Sequence, residues 1–107
     1  MKKLKDNQIE YVYVIKDKHN RYKIGSSKHP RKRLKQLQTG NSEKLLLCHL
    51  IKCTRYPAKH LEKRIHYWFR FNKIKTNNGL LQKLQGEWYC LNEEELEFLK
   101  SIKTDLM

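Results

Sequence analysis

The sequence predicts a single α+β domain built around a small antiparallel sheet. Three observations support this class: an N-terminal run of β-branched and aromatic residues, segments with the apolar spacing of helices, and no internal repeats or linkers. With 107 residues, 38% of them hydrophobic, the chain can build one modest core. We expect one domain over residues 1–107, with its core at about residues 9–102.

Strand composition occurs in four segments. Ile9–Ile15 is rich in β-branched and aromatic residues, and Arg21–Ser26 resumes a strand after the turn-forming Asp17–Asn20, which together predict a hairpin. Leu45–Cys53 is apolar on both alternations, which indicates a buried strand. Glu87–Leu91 is a short strand or an extended segment. The predicted order is β-β-α-β-α, then this extended segment and a last helix.

Three helices are predicted around these strands. Pro30 suits the first turn of a helix, because its missing N–H needs no partner there, and Gly40 would end that helix. Pro57 opens the second helix, which Thr76–Gly79 would end. Asn92 is typical of an N-cap, with a glutamate three residues later completing a capping box. The residues expected to face the core are Leu34 and Leu37, then Leu61, Ile65, Trp68 and Phe69, and finally Leu96, Leu99 and Ile102.

Positive charge dominates the composition. The chain has 24 Lys and Arg against 11 Asp and Glu, a formal net charge of +13. From Met1 to Lys75 the balance is 21 basic residues against five acids. Such a field attracts polyanions and favours a nucleic acid as partner. A solvated basic surface, or a membrane-surface or ribosomal role, is the alternative.

The sequence also predicts an intracellular protein. The basic N-terminus lacks the apolar stretch of a secretory signal, and no apolar run is long enough to cross a bilayer, so we expect no membrane partner. The three cysteines, Cys48, Cys53 and Cys90, are odd in number and lack the paired short spacings of a zinc site. They are interpreted as reduced, mostly buried thiols.

A set of polar residues is distributed over four adjacent elements. Tyr13 lies in the first strand, Lys23 in the second, Arg33 on the first helix and Glu62 on the second. A carboxylate can hold a divalent cation, and a guanidinium can clamp a phosphate oxygen through two N–H donors. A phenol or amine can accept a proton from water. A phosphodiester hydrolase needs this combination, but the spacing alone does not establish one.

Five short segments occur in an order that resembles the GIY-YIG nuclease superfamily, particularly its phage and large-DNA-virus branch. Tyr13 matches the tyrosine of the first motif, Ile24-Gly25 the end of the second, and Arg33 the arginine of the family. Glu62 matches the metal-binding glutamate. The segments are Tyr11-Val12-Tyr13, Tyr22-Lys23-Ile24-Gly25-Ser26, the stretch from Lys28 to Leu34, the stretch from Ala58 to His66, and Gly86-Glu87-Trp88-Tyr89.

The resemblance implies a three-stranded antiparallel sheet flanked by helices and a metal-dependent DNA endonuclease. Glu62 would hold one Mg²⁺ or Mn²⁺ per active site, and Arg33 would stabilise the phosphorane. Tyr13, helped by Lys23 and His66, would position or deprotonate the attacking water. The expected products carry 5′-phosphate and 3′-hydroxyl groups. One site cuts one strand, and the sequence leaves open whether the chain is a monomer or a homodimer.

Two residues depart from the family pattern. Tyr11 stands in place of the glycine of the first motif, and Lys23 in place of the tyrosine of the second. A lysine can stabilise charge or accept a proton, but it does not copy a phenolate. The asparagine that some members carry late in the domain has four candidates here, namely Asn72, Asn77, Asn78 and Asn92.

Several of these residues have an ordinary structural interpretation as well. Glu62 is either a metal ligand, which we favour, or a salt-bridge partner of the nearby Lys59, Lys63 and Arg64. His66, one turn later, either acts beside the metal or is a hydrogen-bonded helix histidine. His49 is expected to be structural. Trp88 and Tyr89 are expected to pack in the core rather than to stack on bases.

DNA contacts are expected from the basic residues around the site, namely Lys28, Arg31, Lys32, Lys35 and Lys63. Such residues supply affinity without sequence information, so low sequence specificity is expected. Two rival functions remain. One is a nuclease-derived DNA-binding domain that does not cut, and the other is a small RNA-binding protein indifferent to Glu62.

Overall fold

The computed structural model describes residues 8–74 and 88–105 of the chain. The strands are β1 (Glu10–Lys16), β2 (Tyr22–Ser27), β3 (Leu46–Cys53) and β4 (Trp88–Tyr89), and the helices are α1 (Pro30–Thr39), α2 (Ala58–Trp68) and α3 (Glu93–Ser101). A single 3₁₀ turn, Arg70–Asn72, follows α2. The α+β class and the order of elements are confirmed. The expected helix end at Thr76–Gly79 is wrong, because α2 ends at Trp68 and the 3₁₀ turn takes over. The Gly86-Glu87 part of the last motif lies outside the described residues.

The sheet is antiparallel and has the strand order β3-β1-β2-β4. It therefore has four strands where the resemblance implied three. The fourth strand consists of Trp88 and Tyr89, which pair with Lys23 and Tyr22 respectively. The extended segment predicted at Glu87–Leu91 thus joins the sheet as a two-residue edge strand.

The central strand β1 separates two small cores. Val12 and Val14 point to one face, where they pack in a cluster with Ile65 of α2. Tyr13 points to the other face, in a cluster with Leu37 of α1. Successive side chains of a strand point to opposite faces, so a strand with helices on both sides is apolar throughout. The two helices that carry the candidate site residues consequently lie on opposite faces of the sheet.

The predicted hairpin turn is confirmed. The buried carboxylate of Asp17 accepts the backbone N–H groups of His19 and Arg21, both at 2.9 Å, and the Arg21 side chain at 2.5 Å. Asn20 adopts the left-handed conformation with φ 59°, which asparagine tolerates better than most residues.

Three predictions about burial were wrong. β3 is an edge strand rather than a fully buried one, and its first residue, Leu46, is 51% exposed. Trp68, the last residue of α2, is 39% exposed, because its ring packs edge-on against Phe98, itself 49% exposed, rather than in the core. Cys90 is exposed, whereas Cys53 is buried and Cys48 half-buried; all three are free thiols. By contrast, His49 is structural as expected, with Nε2 2.6 Å from the carbonyl oxygen of Ile102.

The capping box of α3 is confirmed. The side chain of Asn92 accepts the Glu95 N–H at 2.7 Å, and the Glu95 carboxylate accepts the Asn92 N–H at 2.9 Å. The amide of Asn72 also donates to the Glu95 carboxylate, at 2.8 and 3.0 Å. Asn72 and Asn92 therefore have structural partners at the start of this helix, and Asn77 and Asn78 lie outside the described residues. Within the part of the chain that the structure describes, no helix has the length and apolarity needed to cross a bilayer.

Asp105 ties the C-terminal segment to the loop between β3 and α2. Its carboxylate accepts the backbone N–H groups of Thr54, Arg55 and Tyr56 at 3.1, 2.9 and 3.0 Å. Partial burial acts to raise the pKa of Asp105, but these hydrogen bonds outweigh it and lower the pKa below its usual value.

Asp105→Asn should therefore destabilise the fold at neutral pH, by about 1 kcal/mol given the partial solvation of the group. A depressed carboxyl pKa gives a stabilisation that is present above the ordinary pKa and is lost as the pH falls through the lowered one. Urea unfolding of both proteins between neutral and strongly acidic pH should show the difference shrinking on acidification. Glu97→Gln, an exposed acid-to-amide change on α3, is the control; a pH-independent difference for Asp105→Asn would contradict the assignment.

Candidate active site

One cleft, of about 430 Å³, brings the predicted polar residues together. Strands β1 and β2 and helices α1 and α2 all contribute to it. Its lining consists of Tyr13, Lys23, Ile24, Gly25, Ser26, Arg33, Glu62 and His66. The five side chains proposed from the sequence to carry chemistry are all among them.

The cleft lies where β2 has no described strand on its side away from β1. In the described pairing, β4 covers only Tyr22 and Lys23 of β2. Immediately beyond, the carbonyl oxygen of Ile24 accepts a hydrogen bond from Nε2 of His66 at 2.9 Å, so a helix side chain takes the place of a neighbouring strand. Side chains of α1 and α2, which pack on opposite faces of the sheet, can therefore reach a common space at this edge.

Tyr13 and Gly25 are matched to each other across the β1–β2 pair. They are directly opposed in the register, and a Cβ atom at position 25 would overlap the phenol of Tyr13. The glycine is required because the ring lies over its backbone. Its backbone angles are ordinary, so they do not by themselves require glycine. The ring is 3% exposed, so its position is set by packing.

Lys23 is buried rather than solvated. Its side chain is on the same face of β2 as Gly25, it is 7% exposed, and Nζ lies 6.0 Å from the centre of the Trp88 ring. Trp88 and Tyr89 are themselves 5% and 1% exposed, which confirms that they pack in the core. The lysine thus brings a positive charge to the wall of the cleft, diagonally across the strands from Tyr13.

Glu62 presents a carboxylate that is only 27% exposed. Burial acts to raise the pKa of Glu62, but hydrogen bonds from His66 and Ser26 and the charges of His66 and Lys23 outweigh it, so the pKa lies below its usual value. Glu62 is therefore ionised at neutral pH. Its ion-pair partner in the described residues is His66, at 3.3 Å, and no such pair is formed there with Lys59, Lys63 or Arg64.

His66 is fixed by three protein partners. Nε2 faces the carbonyl oxygen of Ile24 and the carboxylate of Glu62, which both only accept, so Nε2 carries the hydrogen. Nδ1 is hydrogen-bonded to the hydroxyl group of Tyr89. The observed role of His66 is thus that of a hydrogen-bonded helix histidine that orients Glu62.

Arg33 reaches the cleft from α1, on the other face of the sheet. Pro30 starts this helix, and Leu37, one turn beyond the arginine, anchors it in the core. The guanidinium is half-buried, with Nη1 3.4 Å from the side-chain oxygen of Gln36. No salt bridge neutralises it within residues 8–74 and 88–105. Its charge remains directed at the cleft.

The side chains of the cleft are compatible with Mg²⁺ or Mn²⁺ when water and the substrate supply most of the ligands. In the described segments, no three His, Cys, Asp or Glu side chains are grouped closely enough to form a metal cage. Glu62 offers an ionised carboxylate whose orientation is fixed by Ser26 and His66. Magnesium is usually bound through one or two carboxylates together with water and substrate phosphates, so a site completed by the substrate is compatible with these residues.

Exposed basic side chains flank the cleft on both helices. Lys28 precedes α1, and Lys63 on α2 directly follows Glu62. The remaining residues expected to contact DNA lie along α1 and are Arg31, Lys32 and Lys35, all exposed. Nothing in the geometry assigns a nucleotide to any one of them.

Two residues of the site were missed by the sequence analysis as contributors to it. Ser26 hydrogen-bonds the Glu62 carboxylate, and the hydroxyl group of Tyr89 is hydrogen-bonded to Nδ1 of His66. Ser26 lies two residues beyond Ile24, on the strand face against which α2 packs. Because alternate residues of a strand share a face, the sequence could have indicated that Ser26 faces α2. Tyr89 is 23 residues from His66 along the chain and gave no local signal.

Fold and cleft together define a small α+β domain whose cleft is lined by arginine, lysine and carboxylate side chains. The chain belongs to the T5orf172 domain family, which it matches over residues 10–102. This family is nuclease-related and indicates DNA as the partner. No curated protein and no solved structure shows a significant match to the chain.

Proposed function

We propose that this protein is a metal-dependent endonuclease of the GIY-YIG type, which hydrolyses DNA phosphodiester bonds with low sequence specificity. The observation that carries the proposal is the convergence of Tyr13, Lys23, Arg33, Glu62 and His66 on one cleft. The nuclease-related family supports it independently. The strongly basic chain supplies the attraction for a polyanionic substrate.

Each residue of the cleft has a distinct task in this reaction. Glu62, oriented by Ser26 and His66, would hold one Mg²⁺ or Mn²⁺. Such a cation, when bound, would neutralise charge on the phosphate oxygens and on the leaving group. Arg33 donates its N–H groups to a non-bridging oxygen and stabilises the phosphorane. Tyr13, helped by Lys23 and His66, positions or deprotonates the attacking water. The oxygen of this water bonds to phosphorus as the bond from phosphorus to the 3′ oxygen breaks, and the 3′ oxygen leaves as a hydroxyl group.

Lys23 replaces the second tyrosine of the GIY-YIG pattern. Its ammonium group is held at the cleft wall by packing against Trp88, on the same sheet face as Tyr13. A fixed positive charge there stabilises the negative charge that develops on the phosphate. The lysine thus supplies electrostatic stabilisation rather than a second phenol.

Low specificity follows from the kind of contacts available. Lys28, Arg31, Lys32, Lys35 and Lys63 are exposed cations that meet phosphates and carry no base information. Binding should consequently weaken steeply as salt is raised.

Nicking of supercoiled plasmid tests the proposal directly. Wild-type protein should convert the plasmid to open circles with Mg²⁺ or Mn²⁺ and leave it intact in EDTA. The doubly substituted Glu62→Gln/Arg33→Ala protein, purified in parallel, serves as the control for contaminating nuclease. Equal nicking by both proteins would contradict the proposed site, and DNA binding without cleavage under either metal would contradict the nuclease.

One observation favours a second candidate, a nuclease-derived domain that binds DNA without cutting it. Tyr13 and Lys23 are 3% and 7% exposed, which limits the access of water and phosphate to both groups. In that case DNA binding in the plasmid assay would persist, and Lys23→Tyr would be the first substitution with which to seek cleavage.

A further inference from the structure

An exposed row of cationic and aromatic side chains runs along α2 and into the turn that follows it. Lys59, Lys63 and Tyr67 are spaced four residues apart and share one helix face, and Arg70 and Phe71 continue the row in the 3₁₀ turn. We call these five residues the basic–aromatic stripe. All five are exposed, with Tyr67 at 63% and Phe71 at 85%. Two large rings left in water, both in contact with the guanidinium of Arg70, indicate an interaction surface.

The aromatic end of the stripe is held in place before any ligand arrives. The guanidinium carbon of Arg70 lies 3.9 Å from the ring centre of Tyr67 and 4.5 Å from that of Phe71. Nη1 of Arg70 also donates to the backbone carbonyl of Tyr67 at 2.8 Å. A surface fixed in this manner loses little conformational entropy on binding. The rings therefore form a ready-made stacking platform.

Charge indicates the occupant of the stripe. Lys59, Lys63 and Arg70 take part in no salt bridge within the described ranges, and the chain carries a net charge of +13. A second copy of the chain would bring like charges against them. A nucleic acid offers both phosphates for the cations and flat base faces for the rings.

Paired DNA hides the faces of its bases in the helical stack, so only unpaired nucleotides can lie against Tyr67 and Phe71. We propose that the basic–aromatic stripe binds an unpaired segment of the DNA substrate, which makes the substrate class DNA with a single-stranded portion next to the cleaved bond. The stripe adjoins the cleft, because Lys59 and Lys63 lie three residues before Glu62 and His66 respectively on α2, a spacing that makes side chains neighbours on a helix. This inference rests on the proposed nuclease function for its connection to cleavage, although binding itself does not require cleavage.

Equilibrium binding in EDTA, where no cleavage is expected, tests DNA binding by the stripe separately from the proposed nuclease function. The anisotropy of a short fluorescent single-stranded oligonucleotide and of a blunt duplex would be measured with wild type, Phe71→Ala, Phe71→Leu and Phe71→Trp. Phe98→Ala is the matched control, since Phe98 is also half-exposed, at 49%, but lies on α3, whose first turn is acidic. Because Phe71 is 85% exposed, its replacement does not endanger the fold, which thermal unfolding would verify.

Phe71→Ala and Phe71→Leu should weaken single-strand binding about five- to tenfold and duplex binding less than about twofold, given the usual contribution of one stacked base. Phe71→Trp and Phe98→Ala should bind as wild type does. Equal losses on both DNAs, no loss on either, or a leucine variant equal to wild type would overturn the inference. So would sedimentation showing that Phe71→Ala dissociates a dimer, since a second copy would then cover the stripe. Failure of plasmid nicking alone would remove the nuclease function and leave this binding result intact.

Discussion

Glu62→Gln should reduce metal-dependent cleavage to the level seen in EDTA while the protein still folds and binds DNA. The amide keeps the shape of the side chain and an oxygen that accepts from Nε2 of His66, but it removes the negative charge that would hold the cation. Since a bound metal stabilises transition-state charge by several kcal/mol, the single-turnover rate should fall by about a thousandfold or more.

Metal binding should be measured beside cleavage, so that the two effects of the substitution can be compared. Titration of the DNA complex with Mn²⁺, followed by paramagnetic resonance, should show weaker binding to Glu62→Gln than to wild type. Glu97 is an exposed acid on α3, far along the chain from the cleft residues. Glu97→Gln should therefore change neither the cleavage rate nor the affinity for Mn²⁺. Retention of cleavage by Glu62→Gln, or unchanged Mn²⁺ affinity, would remove Glu62 from the role of metal ligand.

The parts of the fold that the sequence predicted are those with local signals. The turn at Asp17–Asn20, the proline start of α1 and the capping box at Asn92 each depend on residues within one turn of one another. The exposure of β3 was not predictable in this manner. Its apolar alternation is the same at the edge of a sheet as in the centre, and only the tertiary arrangement decides between the two.

The candidate site likewise has a part that the sequence predicted and a part that it did not. Tyr13, Lys23, Arg33 and Glu62 were singled out because they lie on four adjacent predicted elements, and the structure brings them to one cleft. The chemical roles of these residues stay proposals. The alternation along β2 places Ser26 on the face that α2 covers, but its hydrogen bond to Glu62 forms only when α2 packs there. Tyr89 lies 23 residues from His66, so no spacing along the chain predicts that contact.

Gly25→Ala should disable the site through Tyr13 rather than through any group of its own. The new methyl group would overlap the phenol, and both residues lie in paired central strands that have little freedom to separate. Overpacking of this kind typically costs about 1–3 kcal/mol of stability. A displaced ring near the reacting atoms should lower the cleavage rate about a hundredfold. Urea unfolding and single-turnover cleavage would measure the two effects separately.

A double-mutant cycle shows whether Tyr13 is the cause. In a Tyr13→Ala background the methyl group has room, so Gly25→Ala should then cost little further stability. Gly40→Ala is the matched control, because a Cβ atom there would have its nearest neighbour at 3.9 Å and the residue has an ordinary φ of −88°. An equal destabilisation by Gly25→Ala in both backgrounds would mean that the glycine serves the backbone of β2 and not the position of the phenol. Destabilisation confined to the background that keeps Tyr13 would show that the two residues depend on each other. Position 25 of β2 must then lack a side chain so that the phenol ring of Tyr13 on β1 can lie over it.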